Sequence, residues 1–83
     1  MSNPFRDWRE ERGLTRTEMA VLLGTGVSQV QAVESGMPNR PFKAFVASFA
    51  AVAGTALADK LVEEYATWRE EQQAQVLLKL QEG

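Results

Sequence analysis

Two short amphipathic segments joined by a glycine-containing turn, within residues 15–36, constrain this chain more than any other feature. The apolar positions of the first segment recur at helical spacing and are Met19, Ala20, Leu22 and Leu23. Gly24 follows them and can adopt the left-handed backbone conformation that ends many helices. Val30 and Val33, three positions apart, give the second segment an apolar seam. The pattern predicts two helices packed across a tight turn.

Capping signals predict where the first helix begins and ends. Asn3 is a good N-cap and Pro4 suits the first helical position, so we expect a helix that begins there and stops at Gly13. Phe5 and Trp8 lie three positions apart and should anchor one face of this helix to the core.

The two segments of the central pattern also have readable boundaries. Thr15 precedes Glu18 by three positions, which is a capping-box pattern, and it predicts a second helix that begins at Arg16. Gly26 is the expected N-cap of a third helix over about 27–35. Spacing alone does not decide which way Val27 points.

A fourth helix is expected after a loop at residues 37–41, where two prolines prevent helix continuation. The helix should run from about 41 to 53, and its apolar positions at i, i+3, i+4 and i+7 are Phe42, Phe45, Val46 and Phe49. We predict that all three phenylalanines of this stripe belong to the core. Gly54 should end the helix.

A long last helix is expected to begin at Ala56, capped by Thr55, and to continue to Gly83. Its first half carries a core-facing stripe formed by Leu57, Leu61, Tyr65 and Trp68. The second half ends in the cluster V-L-L-K-L, which is too apolar to be left in water. We therefore predict a domain at 1–68 and a C-terminal extension at 69–83, which either forms a homodimer through Val76, Leu77 and Leu80, folds back, or binds another protein.

The composition favours an all-α chain and excludes several functions. Three prolines and six glycines among 83 residues are few, and most lie at segment edges. Cysteine and histidine are both absent, so disulfides and the usual zinc ligands are not available, and we expect no metal and no cofactor. No nucleophile and base pattern or glycine-rich phosphate loop is present, so we expect no enzymatic activity. No signal-peptide pattern or membrane-length apolar run is present, which predicts a cytoplasmic protein.

The charge is distributed unevenly along the chain. The net charge is −2, but residues 1–43 carry six basic and five acidic side chains, whereas residues 44–83 carry three basic and six acidic ones. The net charge is therefore +1 for residues 1–43 and −3 for residues 44–83. These are the signs expected if the first part faces a nucleic acid, although the difference is small.

The stretch from Leu23, L-G-T-G-V-S-Q-V-Q-A-V-E-S-G, resembles the turn and recognition helix of the Cro/repressor (Xre-type) DNA-binding domains in both pattern and length. The upstream E-E-R-G-L-T-R-T-E-M-A and the later R-P-F match two further parts of that family, and the resemblance covers residues 5–54. It implies an all-α, five-helix repressor-like (lambda-repressor-type) helix-turn-helix domain, here with an extended C-terminal helix.

The resemblance also implies roles for individual residues. The base-contacting set is Val27, Ser28, Gln29, Gln31 and Ala32. The phosphate-contacting set is Arg16, Thr25, Asn39, Arg40 and Lys43. Arg9 and Glu34 match a structural ion pair of the family, for which the alternative is two exposed charges that stabilise little.

The expected function follows from these roles. We predict a sequence-specific transcriptional regulator, most simply a dimeric repressor bound to a palindromic operator in double-stranded DNA. Helix 27–35 has no arginine or lysine, so the commonest specific contact, arginine to guanine, cannot come from it. The alternative is a protein-interaction module on the same fold, such as an antitoxin or a phage adaptor, with weak or no DNA binding.

Overall fold

The computed structural model describes residues 1–82 and contains five α-helices in that range. They are α1 (Pro4–Glu11), α2 (Arg16–Leu23), α3 (Val27–Ser35), α4 (Lys43–Ala53) and α5 (Thr55–Glu82). Helix α5 packs on α1 and α4, while α2 packs on α3 and α4 and α1 packs on α3. The all-α, five-helix architecture with a long C-terminal helix, as predicted from the sequence, is confirmed. Gly83, where the last helix was expected to end, lies outside the described residues.

The predicted caps of the first three helices are present. The Asn3 side chain accepts hydrogen bonds from the Phe5 and Arg6 amides. Thr15 and Glu18 form the complete reciprocal capping box at the start of α2. Gly24 ends α2 with a φ of 66°, in the left-handed region that disfavours residues with a Cβ atom.

Three sequence-based expectations about helix limits and faces are wrong. Helix α4 begins at Lys43 rather than near 41, so Phe42 is its N-cap residue and is exposed instead of joining the core. Helix α5 includes Thr55, which was expected to be its cap. Leu22 is also exposed. The buried face of α2 is formed by Met19, Ala20 and Leu23, and successive residues of a helix are turned by about 100°, so Leu22 lies at the edge of that face.

The core is built around the aromatic ring of Phe5, which is fully buried. The rings of Phe45 and Phe49 meet it edge to face, with centroid distances of 5.3 and 5.2 Å. Such edge-to-face pairs add to the free energy gained by burying the rings. Helices α1, α4 and α5 therefore pack together, and the α2–α3 pair packs against α1 and α4.

Burial along α5 stops at Trp68. Leu61, Tyr65 and Trp68 are buried, whereas every residue from 70 to 82 is exposed. The helix continues through this change without a break. The C-terminal extension therefore does not fold back onto its own chain.

Candidate nucleic-acid interface

Helix α3 has one buried side and one open side. Val30 and Val33 are fully buried and hold the helix against the core. Three of the five predicted base-contacting residues, Val27, Ser28 and Gln31, are exposed, and Gln29 and Ala32 are partly exposed. The open side is therefore uncharged, with the polar Ser28, Gln29 and Gln31 beside Val27 and Ala32, and no other part of residues 1–82 buries it.

The first turn of α3 contains a side-chain hydrogen bond that the sequence analysis did not anticipate. The Thr25 hydroxyl donates to Oε1 of Gln29 at 2.5 Å. Thr25 lies in the turn before the helix, four positions from Gln29. Its own amide donates to the Ala20 carbonyl, so its backbone is held by the end of α2. Because Thr25 precedes the helix, the i,i+4 rule for neighbours within a helix does not apply, and the sequence gives no signal for this contact.

The end of α3 is held by a bidentate ion pair between Arg9 and Glu34. Arg9 Nε donates to Glu34 Oε2 at 2.7 Å, and Nη2 donates to Oε1 at 2.9 Å. The remaining nitrogen of the Arg9 guanidinium, Nη1, donates to the Leu14 carbonyl at 2.7 Å. The Glu34 side chain is only 2% exposed, so this is not a pair of solvated charges. The hydrogen bond from Arg9 to Glu34 raises the pKa of the Arg9 guanidinium.

Arg16 takes part in the same cluster. Its Nε donates to Glu34 Oε1 at 3.2 Å, while its side chain is 46% exposed. One carboxylate therefore accepts from two arginines, and the two terminal nitrogens of Arg16 have no protein partner within residues 1–82. The arrangement accounts for a cation in the first turn of α2, where the helix dipole disfavours positive charge. A guanidinium held at Nε can still present its other donors to a phosphate.

Asn3 makes a second contribution that its role as a cap did not indicate. Its Nδ2 donates to the carbonyls of Val33 and Glu34, at 2.9 and 3.0 Å, and the residue is buried. One amide therefore caps the start of α1 with its oxygen and holds the last turn of α3 with its nitrogen. No local sequence signal indicates this contact, because Val33 and Glu34 lie 30 and 31 positions away from Asn3 along the chain.

The segment after α3 lies against α5 at Gly36 and Pro38. A Cβ atom on Gly36, whose φ is +77°, would lie 2.6 Å from Cη2 of Trp68. The Tyr65 hydroxyl donates to the Pro38 carbonyl at 2.7 Å. Burial raises the pKa of the Tyr65 phenol. Helix α5 thus positions the loop that begins where α3 ends.

Three polar residues that follow Pro38 are exposed, and they are Asn39, Arg40 and Lys43. Lys43 is the first residue of α4, and no side chain caps that helix. Uncapped amides at a helix start, together with nearby cations, form an environment that suits a phosphate. The predicted dimerisation residues, Val76, Leu77 and Leu80, lie on the exposed part of α5, and Leu80 is 74% exposed.

Residues 1–82 contain neither a metal-binding cluster of side chains nor a helix that could cross a membrane. No group of three or more acidic side chains is placed so that it could hold a metal ion. None of the five helices combines the length and the apolar character that a membrane crossing requires.

The fold, with two short helices joined by a tight turn and one open side on the second, is that of a helix-turn-helix domain. A family model described as a helix-turn-helix domain matches residues 4–63, and the chain belongs to this family. The match agrees with the Xre-type resemblance and makes the chain a DNA-binding regulator in the general sense. No curated protein and no solved structure matches the chain.

Proposed function

We propose that this chain is a sequence-specific transcriptional regulator that acts as a dimeric repressor, with α3 in the major groove of its operator. The single observation that carries the proposal is the open polar side of α3 on a helix whose opposite side is fully buried. A recognition helix needs both properties, because its base-reading side chains must be accessible while its backbone is held rigidly.

The base-reading residues are proposed to be Val27, Ser28, Gln29, Gln31 and Ala32. Serine and glutamine can hydrogen-bond to base edges, and valine or alanine can contact the thymine methyl group. Phosphate contacts are proposed to come from Arg16, Asn39, Arg40 and Lys43, all of which are exposed. Phosphate contacts of this kind set the register of a protein on the duplex without reading its sequence.

Dimerisation is proposed to use the extension at 69–83, with the DNA-binding domain at 1–68. Support comes from the exposed aliphatic side chains at 76, 77 and 80, which share one side of α5. Helices that expose an apolar side of this kind associate with a second helix to remove it from water. A two-fold dimer would place two copies of α3 in successive major grooves, about 34 Å apart.

The oligomeric state can be tested with a matched pair of variants. Leu80→Glu places a charge on the apolar side of the extension, and we expect it to produce a monomer in sedimentation experiments. Gln75→Glu adds the same charge on the opposite side of the helix and should leave the dimer intact. Identical behaviour of both variants would remove the support for this dimer.

DNA binding is tested by random-oligonucleotide selection with the intact chain and with a chain that ends at Trp68. We expect the intact chain to enrich a palindrome and the shortened chain to enrich a half-site at most. Arg40→Ala should weaken binding to all sequences, whereas Lys60→Ala, which removes the same charge from α5, should not. Three cations in each chain predict a slope of log K against log salt of about −5 for the dimer. A slope steeper than about −9 would contradict this set of contacts.

A protein-interaction module is the second candidate, and one observation favours it. The recognition helix carries no positive charge, while the extension exposes an apolar surface that a partner protein could cover. An antitoxin or a phage adaptor on this fold would bind a protein through the extension. The absence of any enriched DNA sequence, together with a partner lost in Leu80→Glu, would favour this candidate over the regulator.

A further inference from the structure

We propose that Thr25 is a positioning residue that fixes the amide of Gln29, so that Gln29 presents its NH₂ group to the major groove and reads guanine. The inference rests on the proposed function, because it assigns a base preference to the same helix. It is carried by the hydrogen bond from the Thr25 hydroxyl to Gln29 at the start of α3.

The atom of the Gln29 amide that faces Thr25 is its oxygen, Oε1, which accepts the hydroxyl hydrogen at a heavy-atom distance of 2.5 Å. This distance lies within the range of hydrogen bonds between two oxygens. Oxygen and nitrogen diverge from one carbon atom, so the NH₂ group is directed away from Thr25.

The Thr25 hydroxyl cannot hold Gln29 and make the phosphate contact that the resemblance implies at the same time. A hydroxyl has a single hydrogen to donate, and here Gln29 accepts it. A phosphate offers only acceptors, and the backbone amide of Thr25 already donates to the Ala20 carbonyl. Thr25 could therefore bind a phosphate only by releasing Gln29.

The NH₂ group of Gln29 is a pure donor, so it selects acceptors on the base edge. Guanine presents two adjacent acceptors in the major groove, N7 and O6, whereas cytosine presents an amino donor. Adenine places an amino donor beside its N7, and a glutamine reads that pair with its carbonyl oxygen as well. Because the oxygen of Gln29 is turned towards Thr25, guanine is the better match. Helix α3, which has no arginine or lysine, thereby gains a contact to guanine.

The test is a binding-specificity profile of the full-length chain and of single variants at Thr25 and Gln29. We expect the wild-type chain to prefer guanine at one base pair of each half-site. Thr25→Ser retains the hydroxyl and should retain the preference. Thr25→Val has nearly the same shape without the hydroxyl, and it should reduce the preference for guanine over adenine at that base pair about tenfold. Gln29→Ala should remove the preference at the same base pair.

Three results would overturn the inference. One is a preference for adenine at the Gln29 position of the wild-type chain. Another is a uniform loss of affinity for all sequences in Thr25→Val, as expected if the hydroxyl bound a phosphate. Both of these leave the regulator assignment intact. Enrichment of no sequence by the wild-type chain would instead overturn the proposed function, and the inference with it. Thr25→Ala serves as a second variant without the hydroxyl if Thr25→Val melts at a lower temperature than the wild type.

Discussion

Replacing Arg9 by alanine should destabilise the chain more than replacing any other arginine by alanine, because its side chain is only 11% exposed and pairs with a buried carboxylate. The change leaves the Glu34 carboxylate, 2% exposed, without its bidentate partner and leaves the Leu14 carbonyl without a donor. Removing one partner of a buried ion pair costs about 3 to 5 kcal/mol of folding free energy. Arg16 still donates to Glu34 and is half-exposed, so we expect the lower end of this range, about 3 kcal/mol.

Arg12 provides a control of the same residue type on the same surface. Its guanidinium lies 4.0 Å from the ring centroid of Trp8 and its side chain is 45% exposed. An exposed cation–π contact stabilises by about 0.5 to 1 kcal/mol. For a domain of this size, 1 kcal/mol corresponds to roughly 4 to 8 °C in Tm. Arg9→Ala should therefore lower Tm by more than about 12 °C, and Arg12→Ala by less than about 8 °C.

The assay is thermal unfolding followed by circular dichroism at neutral pH, with urea unfolding as a second measure. Arg9→Lys should fall between the wild type and Arg9→Ala, because an ammonium group keeps the charge but lacks the planar fork that binds both carboxylate oxygens. Equal melting temperatures for Arg9→Ala and Arg12→Ala would refute the reasoning, since they would show that Glu34 does not depend on its buried partner.

Other features of the fold give further expectations for stability. Asn3→Asp keeps the acceptor that caps α1 but removes both donors to the end of α3, so it should cost about 2 kcal/mol in urea unfolding; unchanged stability would show that those two bonds contribute nothing. Gly36→Ala should cost about 1 to 3 kcal/mol more than Gly24→Ala, because both residues have positive φ but only the former meets another side chain, that of Trp68; equal losses would show that the ring yields freely. Because burial raises the pKa of Tyr65 above 10.0, the neutral phenol contributes stability that is complete below about pH 10 and is lost as the pH rises through the folded-state value. Tyr65→Phe should therefore lose less stability than the wild type between about pH 9 and 12, and parallel curves would contradict the assignment.

Local sequence signals were sufficient for most of the fold. The capping box at Thr15 and Glu18 and the glycine at position 24 act over three to five residues, so they could be read without knowing what packs against them. The period of the apolar residues likewise predicted which sides of α1 and α3 are buried. Phe42 was misassigned because the apolar stripe was extended across the start of α4, which lies at Lys43, and an N-cap residue does not share the helical face of the residues that follow it.

The sequence by itself determined the number of helices, their order and the polar character of α3, because these depend on backbone propensities and on periodicities of a few residues. Only the tertiary structure decided that Glu34 is shared by two arginines, that Asn3 joins the start of α1 to the end of α3, and that residues 70–82 are left exposed. Contacts of that kind join residues up to 31 positions apart along the chain. Their existence depends on how whole helices are placed against one another, and no short stretch of sequence encodes that placement.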